Sequence, residues 1–145
     1  DREPLFRPAT TSHLYRWQRE NLGRPGERDF VLHDGPPYAN GHLHMGHALN
    51  KIVKDMILRY QVLRGRRVHY MPGWDCHGLP MARTAPGERR TRQSPSDDRS
   101  AARRVALREM EQQRHEFQQL GIMADWQNTY QTLDFSYELE QLRLF

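Results

Sequence analysis

His44 and His47, two histidines three residues apart, are the side chains of this sequence best suited to chemistry. They come at the predicted start of a long helix, where free backbone N–H groups and the helix dipole favour an anion. Residues three apart lie on one side of a helix, so both imidazoles can donate hydrogen bonds to one phosphate group, and such bonds strengthen during phosphoryl chemistry. Gly46 lies between them and has no Cβ, which lets a flat ring or a sugar approach the backbone. This spacing predicts a phosphate site.

Two other interpretations of these histidines remain open. Imidazole is a common metal ligand, so His42, His44 and His47, together with His77, could bind a metal ion. Against this, the loop carries no carboxylate or thiol at a matching spacing, and positive potential at a helix start opposes a cation. In the simplest interpretation, the histidines are polar residues that begin a helix.

The elements that must position the histidines form a predicted strand–helix–strand unit. Phe30–His33 is a β-prone run that ends at Asp34–Pro37, where consecutive prolines forbid a helix or a central strand. From Gly46, apolar residues repeat at helical spacing and predict one buried face, made of Leu49, Ile52, Val53, Met56, Ile57, Tyr60 and Leu63. Gly65 is predicted to end the helix, and residues 67–71 to form a second strand closed by Pro72-Gly73. Such a βαβ unit has parallel strands and requires further strands beside it.

The flanking segments predict an arm, a loop and a second helix. Residues 1–29 form a polar N-terminal arm, in which a short amphipathic segment, 12–21, could dock through Leu14, Tyr15 and Trp17. Residues 83–97 are rich in proline, glycine, serine and arginine and predict a flexible loop. Residues 98–120 return to helical spacing with Gly121 as a cap, and the tail is again helix-like.

Composition excludes some classes of protein. The 145 residues suffice for one domain or for a piece of a larger one, and no apolar run approaches the ~18 residues of a membrane span. The single cysteine, Cys76, cannot form an internal disulfide and has no evident base to activate it, so we expect a reducing compartment and no catalytic thiol. The net charge of +4 comes almost entirely from arginine on the basic side, which suits a nucleotide or RNA but also an ordinary solvated surface.

Two extended blocks of sequence resemble one enzyme family. The first is Gly35-Pro-Pro-Tyr-Ala-Asn-Gly41 followed by His44-Met-Gly-His47, and the second is Pro72-Gly-Trp-Asp-Cys-His-Gly-Leu-Pro80. They resemble the catalytic domain of class I aminoacyl-tRNA synthetases, where the histidine block is the HIGH signature, and specifically that of the isoleucyl-tRNA synthetases. Residues 121–126 and 130–134 are similar to the same family, in the region where its large insertion begins.

The resemblance implies an α/β fold, namely the N-terminal half of a Rossmann-like (HUP-type) parallel sheet with flanking helices, incomplete in this chain. Residues 30–82 would be the first half of the nucleotide-binding fold, and residues 98–145 the helical start of the connective insertion. The implied reaction is activation of isoleucine with ATP and Mg2+, followed by transfer to tRNA(Ile). The parent enzyme is expected to be monomeric and to have no membrane partner.

The resemblance also implies roles for individual residues. His44 and His47 would be catalytic and stabilise the α-phosphate as the carboxylate of isoleucine attacks it. Asp75, placed at the end of the second predicted strand, would bind the ammonium group of isoleucine, or else cap a turn. Trp74 is assigned to the substrate site, with core packing as the alternative. The remaining assignments are Pro36 for the amino acid, Tyr38 for the amino-acid site and the nucleotide, and Gly46, Asn40 and Asn50 for the nucleotide, with no residue assigned to a metal.

The sequence departs from the family pattern in two places. The family follows Pro80 with an aliphatic residue and a glutamate, whereas Met81 is followed here by Ala82, so we expect an altered segment from Arg83 to Gln93. The chain ends before the family's lysine-bearing KMSKS loop, so we expect a fragment with little or no aminoacylation alone.

The source and a second function complete the expectations. The chain starts without methionine, which predicts a removed leader or a cut within a longer chain. Its sequence is most similar to the mitochondrial enzymes of the family. A mitochondrial matrix location is expected, with the cytoplasm as the alternative. A non-catalytic nucleotide- or RNA-binding module is the alternative function, and a metal-dependent hydrolase built on the histidines is a third.

Overall fold

The structure contains the predicted strand–helix–strand unit and second long helix, together with one helix and two short strands that were not predicted. A computed structural model describes residues 2–77 and 95–145, without the side chains of 95–99. The elements are α1 (Glu3–Thr10), α2 (Ser12–Asn21), β1 (Phe30–Val31), α3 (Met45–Leu63), β2 (Val68–His69), β3 (Gly73–Trp74), α4 (Pro95–Gln119), β4 (Tyr130–Gln131) and α5 (Phe135–Leu144). The loop predicted at 83–97 lies outside the described residues except for its last three, and for these it is wrong. They belong to α4, which begins at Pro95 because proline suits the first turn of a helix.

Contacts divide the chain into two compact units. The first unit comprises Asp1–Gly35, Leu43–Pro72 and Arg114–Thr129. The second unit comprises Pro36–His42, Gly73–Gln113 and Tyr130–Phe145. The two histidines of the HIGH-like block therefore belong to the first unit, and Asp75 belongs to the second.

The first unit contains the predicted strand–helix–strand arrangement. Strands β1 and β2 pair in parallel, with Phe30 opposite Val68 and Val31 opposite His69, and α3 connects them along the chain. Gly65 follows α3 with φ +79°, a left-handed conformation that glycine adopts without strain, so the predicted helix stop is confirmed. The strands are shorter than predicted because the parallel ladder includes two residues of each.

The predicted buried face of α3 is wrong. Its seven apolar residues are between 40% and 86% exposed, whereas the buried residues of this helix are Lys51 and Leu58. The helix turns inward a face whose polar groups have specific partners: Lys51 pairs with Asp34, and Asp55 accepts a hydrogen bond from the N–H of Met123 (2.8 Å). The spacing of apolar residues does not identify such partners, so it predicted that the opposite face is buried.

The N-terminal arm docks through residues that differ in part from those predicted. Tyr15 is buried and its hydroxyl accepts a hydrogen bond from the N–H of Tyr70 (3.2 Å), whereas Trp17 is 50% exposed. The buried side chain of Gln18 donates to the carbonyl of Val68 (3.0 Å) and accepts from its N–H (2.8 Å). An amide side chain thereby satisfies the backbone of β2 as a neighbouring strand would. Docking through Trp17 is therefore corrected to docking through Gln18.

The second unit is built around another pair of short parallel strands. Gly73 lies opposite Tyr130 and Trp74 opposite Gln131, so the prediction that Pro72-Gly73 closes a strand is wrong for Gly73, which begins β3. Cys76 is buried, with its Sγ 3.4 Å from the Sδ of Met110, and burial raises the pKa of its thiol to about 11.

Within residues 2–77 and 95–145, no helix has the length and apolar character that crossing a membrane requires.

Candidate functional site

His44 and His47 form a reciprocal cap at the start of α3. His44 is the N-cap residue, and its Nδ1 accepts hydrogen bonds from the N–H groups of Gly46 (3.1 Å) and His47 (3.4 Å). The Nδ1 of His47 accepts in return from the N–H of His44 (3.4 Å). The two residues thus form a capping box in which imidazoles take the parts usually played by Ser or Thr and Glu or Gln. The backbone N–H groups of Gly46 and His47, which were predicted to bind an anion, are both bonded to the ring of His44 instead.

The cap determines which nitrogen of each neutral ring carries the proton. Because Nδ1 of each ring accepts a hydrogen bond, the proton of each neutral imidazole belongs on Nε2. Burial, with the nearby His44 and the ammonium group of Lys51, lowers the pKa of His47 below its ordinary value of 6.5. At neutral pH the His47 ring is therefore an uncharged Nε2–H donor.

Gly46 is required by the ring of His44. A Cβ at residue 46 would lie 2.9 Å from Cε1 and 3.0 Å from Nδ1 of that ring, closer than ordinary contacts allow. The ring of His44 therefore lies close against the backbone of Gly46. Asn50, the other nucleotide residue predicted on α3, is exposed.

Sequence reasoning missed a buried charged cluster beside this helix start. Asp34, directly after the strand region of β1, forms an ion pair with Lys51, and its other carboxylate oxygen lies 2.8 Å from Nζ of Lys54. Tyr70, directly after β2, donates from its hydroxyl to Asp34 (3.1 Å) and accepts from Lys51 (3.2 Å). Lys51 and Lys54 are the chain's two lysines and share one side of α3, which was a usable signal. The sequence does not identify the acidic residue that pairs with them.

The charges of this cluster depend on one another. Burial alone would raise the pKa of Asp34, but the ammonium groups of Lys51 and Lys54 outweigh it and hold the pKa below its ordinary value. Burial lowers the pKa of Lys51 more than the carboxylate of Asp34 raises it. Removing Asp34 would leave the buried Lys51 without its counter-charge, which is costly, whereas removing Lys51 would leave Asp34 paired with Lys54.

In the second unit, the structure brings the loop of Tyr38 together with Asp75. The N–H of Asp75 donates to the carbonyl of Pro37 (2.8 Å), and the N–H of Ala39 donates to the carbonyl of Asp75 (3.1 Å). These bonds make a parallel bridge between Tyr38 and Asp75. Asp75 therefore follows β3, and its predicted place at the end of the second strand is wrong because β2 ends at His69.

The carboxylate of Asp75 is held by its neighbours. Its Oδ1 accepts hydrogen bonds from the N–H of His77 (3.1 Å) and the hydroxyl of Thr132 (3.5 Å). The same hydroxyl accepts from the N–H of Cys76 (2.9 Å), so Thr132 links both residues. The hydrogen bond from the N–H of His77 is the kind that a turn-capping aspartate accepts. The same carboxylate is the one predicted to bind the ammonium group of isoleucine.

Trp74 and the other residues predicted around the amino acid differ in exposure. Trp74 is 1% exposed, and its indole N–H donates to the side-chain oxygen of Gln113 (3.1 Å), a placement that favours packing. The amide nitrogen of Gln113 donates to the carbonyls of Tyr38 (3.1 Å) and Gly41 (2.8 Å), which anchors the loop to α4. Tyr38 is 47% exposed, and Pro36 and Asn40 are half-buried.

The residues considered for a metal have other neighbours. His42 lies against the side chain of Gln112, and Nε2 of His77 is 3.3 Å from a carboxylate oxygen of Glu138. Over the part of the chain that the structure describes, no group of three or more His, Cys, Asp or Glu side chains is arranged to hold a metal ion.

Comparison with known proteins assigns the chain to a family. The family model of the class I tRNA synthetases (I, L, M and V) matches residues 10–145. The chain belongs to the class I tRNA synthetases. Within this family it is similar to a probable mitochondrial isoleucine–tRNA ligase of Dictyostelium discoideum, with 53% identity over 91% of this chain and 13% of that protein. It is 47% identical to the isoleucine–tRNA ligase of Lacticaseibacillus casei, over 99% of this chain and 16% of that protein.

A solved structure of the family supports the fold. In the ternary complex of Agrobacterium radiobacter K84 agnB2 LeuRS with tRNA and LeuAMS, the LeuRS chain matches with a TM-score of 0.66 and 28% identity, over 92% of this chain and 16% of that chain. The α/β arrangement of short parallel strands and helices is therefore that of part of a class I synthetase catalytic domain. The chain spans about one seventh of the length of these relatives.

Proposed function

We propose that this chain is the part of an isoleucyl-tRNA synthetase that binds ATP and begins the activation of isoleucine. The observation that carries the proposal is the stacked, mutually capping pair of His44 and His47, whose Nε2–H groups remain as donors at the start of α3. N–H donors fixed in place suit phosphate oxygens whose charge grows during reaction. The similarity to isoleucine–tRNA ligases supports the choice of amino acid.

The proposed step is attack of the isoleucine carboxylate on the α-phosphorus of ATP. A new bond forms between carboxylate oxygen and phosphorus, the bond from the α-phosphorus to the pyrophosphate oxygen breaks, and isoleucyl-adenylate and pyrophosphate result. His44 and His47 donate from Nε2 to the α-phosphate oxygens. Gly46, Tyr38, Asn40 and Asn50 contact the nucleotide. Mg2+ accompanies the phosphates of ATP, which supply oxygen ligands of the kind it prefers.

The amino acid is proposed to bind at residues of the second unit. The carboxylate of Asp75 binds the ammonium group of isoleucine, supported by Thr132 and the N–H of His77, which orient its Oδ1. Pro36 and Tyr38 line the amino-acid site. Trp74 supports this site from the core, because its indole N–H is bonded to Gln113.

The complete enzyme is proposed to transfer the activated isoleucine to tRNA(Ile) and to act as a monomer. Its nucleotide-binding fold is Rossmann-like, with residues 30–82 in its first half and 98–145 at the start of the connective insertion. A mitochondrial matrix location is supported by the mitochondrial ligases of Dictyostelium discoideum and other relatives, with the cytoplasm as the alternative because bacterial ligases are nearly as similar.

Isoleucine-dependent exchange of pyrophosphate into ATP tests the proposal in the complete polypeptide that contains this chain. We expect exchange with isoleucine to exceed exchange with leucine, and a loss of about 100-fold when His47 is replaced by Ala, which removes the Nε2–H donor. Binding of ATP without exchange would favour the non-catalytic nucleotide-binding module instead. Exchange that depends on leucine rather than isoleucine would overturn the choice of amino acid.

A further inference from the structure

We propose that the buried ion pair of Asp34 and Lys51 is a positioning pair, which holds the start of α3 and thereby keeps the reciprocal cap of His44 and His47 in place. This inference rests on the proposed function. Neither residue touches the reacting atoms in the proposed step, so the pair acts through the histidines.

The pair of Asp34 and Lys51 lies where β1 and β2 end. Asp34 comes two residues after Leu32, whose N–H donates to the carbonyl of His69 beyond the paired residues of β1 and β2. Tyr70 follows His69 and bonds to both charged groups. The carboxylate is therefore attached to the carboxyl ends of both strands, while Lys51 lies one turn of α3 after His47.

The ammonium group of Lys51 is enclosed by the protein. Its side chain is 3% exposed and that of Asp34 is 0% exposed. The ammonium group also lies 5.1 Å from the ring centre of Phe117 and 5.8 Å from that of Tyr70, within the range of a cation–π contact. Rotation or sliding of α3 would separate this buried charge from its carboxylate, which is costly.

A second ion pair on the same helix provides a matched comparison. Asp55 and Arg59 are four residues apart, and they bond to Met123 and Gly121 rather than to residues at the strand ends. They lie two or more turns beyond the histidines. This pair stabilises α3 at a place where it has no direct influence on the helix start.

The experiment compares Lys51→Met with Arg59→Met in the complete polypeptide. Lys51→Met leaves Asp34 paired with Lys54, which favours folding. We expect Lys51→Met to lower kcat of isoleucine-dependent exchange by about tenfold or more with little change in KM for ATP, because the loss falls on transition-state contacts. Arg59→Met is expected to lower the melting temperature without changing kcat. Equal losses of kcat in both variants would overturn the inference.

A spectroscopic readout separates this inference from the proposed function. With histidine-selective 15N labelling, both imidazoles of the unaltered protein should show the Nε2–H tautomer, and Lys51→Met should show a mixture of tautomers at His44 and His47. Unchanged tautomers and unchanged kcat would sink the positioning role. An unaltered protein without exchange would remove the proposed function, while the tautomers still decide the inference. If Lys51→Met does not fold, Lys51→Arg, which keeps a cation opposite Asp34 but changes its shape, is judged by the same two measurements.

Discussion

The imidazole rings of His44 and His47 stack with their centroids 3.8 Å apart and their planes 17° apart. The hydrogen bonds that make this pair a helix cap use Nδ1 of each ring, and the same bonds leave Nε2 to donate. In the proposed function, stability and chemistry therefore depend on different atoms of the same two residues. Variants that keep one atom's role and remove the other's can separate them.

Replacing His44 by Asn should preserve the cap and remove the donor. Asn is among the best N-cap residues, so His44→Asn should change the free energy of unfolding little, whereas His44→Ala should lower it by ~1 kcal/mol. Both should lower isoleucine-dependent exchange alike, because both lack the Nε2–H group. Urea denaturation and exchange kinetics measure the two effects. If His44→Asn exchanged normally, the donor role of His44 would be wrong.

Gly46→Ala should disturb the stacked pair with little net effect on stability. Alanine favours a helix by up to ~1 kcal/mol over glycine, but its Cβ would collide with the ring of His44 and displace it from the cap. We expect these effects to offset each other in the free energy of unfolding, while exchange falls. Gly65→Ala is the control, because it strains a left-handed residue at the far end of α3 and should lower stability only. A normal His44 signal in the NMR spectrum of Gly46→Ala would contradict the predicted collision.

The pKa of His47 makes stability depend on pH near neutrality. Since its pKa is lower in the folded state than its ordinary 6.5, the unfolded state binds more protons between these two values. The free energy of unfolding should therefore rise with pH through that window and fall as the pH drops below 6.5. An NMR titration should give His47 a pKa below 6.5, and the difference between the unaltered chain and His47→Gln should isolate its share of the slope. A pKa of 6.5 would abolish this slope, and a pKa above 6.5 would reverse its sign.

Leu58 and Met56 test which face of α3 is buried. Leu58 is 0% exposed and Met56 is 65% exposed, although the apolar pattern placed Met56 on the buried face. Leu58→Ala should lower the free energy of unfolding by ~2 to 5 kcal/mol because it leaves a cavity. Met56→Ala should change it by less than ~0.5 kcal/mol. Comparable losses in urea denaturation of the two variants would restore the original prediction.

The sequence predicted those features that depend on local chemistry. Gly65 ends α3 because its left-handed conformation is available to glycine without strain, and the parallel pairing of β1 with β2 follows from a helix placed between two β-prone runs. The family assignment followed from two motif blocks and is confirmed by the match over residues 10–145. Each of these signals lies within a short stretch of chain.

Features that depend on distant partners were not predicted. Nothing near Lys51 in the sequence identifies Asp34 as its partner, so a charged residue was not expected inside the fold and the wrong face of α3 was chosen. The docking of Gln18 onto both backbone groups of Val68 joins residues that are 50 apart in sequence. The capping bonds of His44 and His47 are local, but whether a histidine beside a helix start faces a ligand or its own backbone is decided by a rotamer, which spacing does not specify.

The state of the Cys76 thiol has a practical use in the laboratory. With a pKa of about 11, roughly one molecule in ten thousand carries a thiolate at pH 7, and the sulfur is shielded from reagents as well. A maleimide dye should therefore attach selectively to a second cysteine engineered at an open position such as Met56, without first mutating the native one. A fluorophore attached at residue 56 would report on molecules that bind near the exposed face of α3.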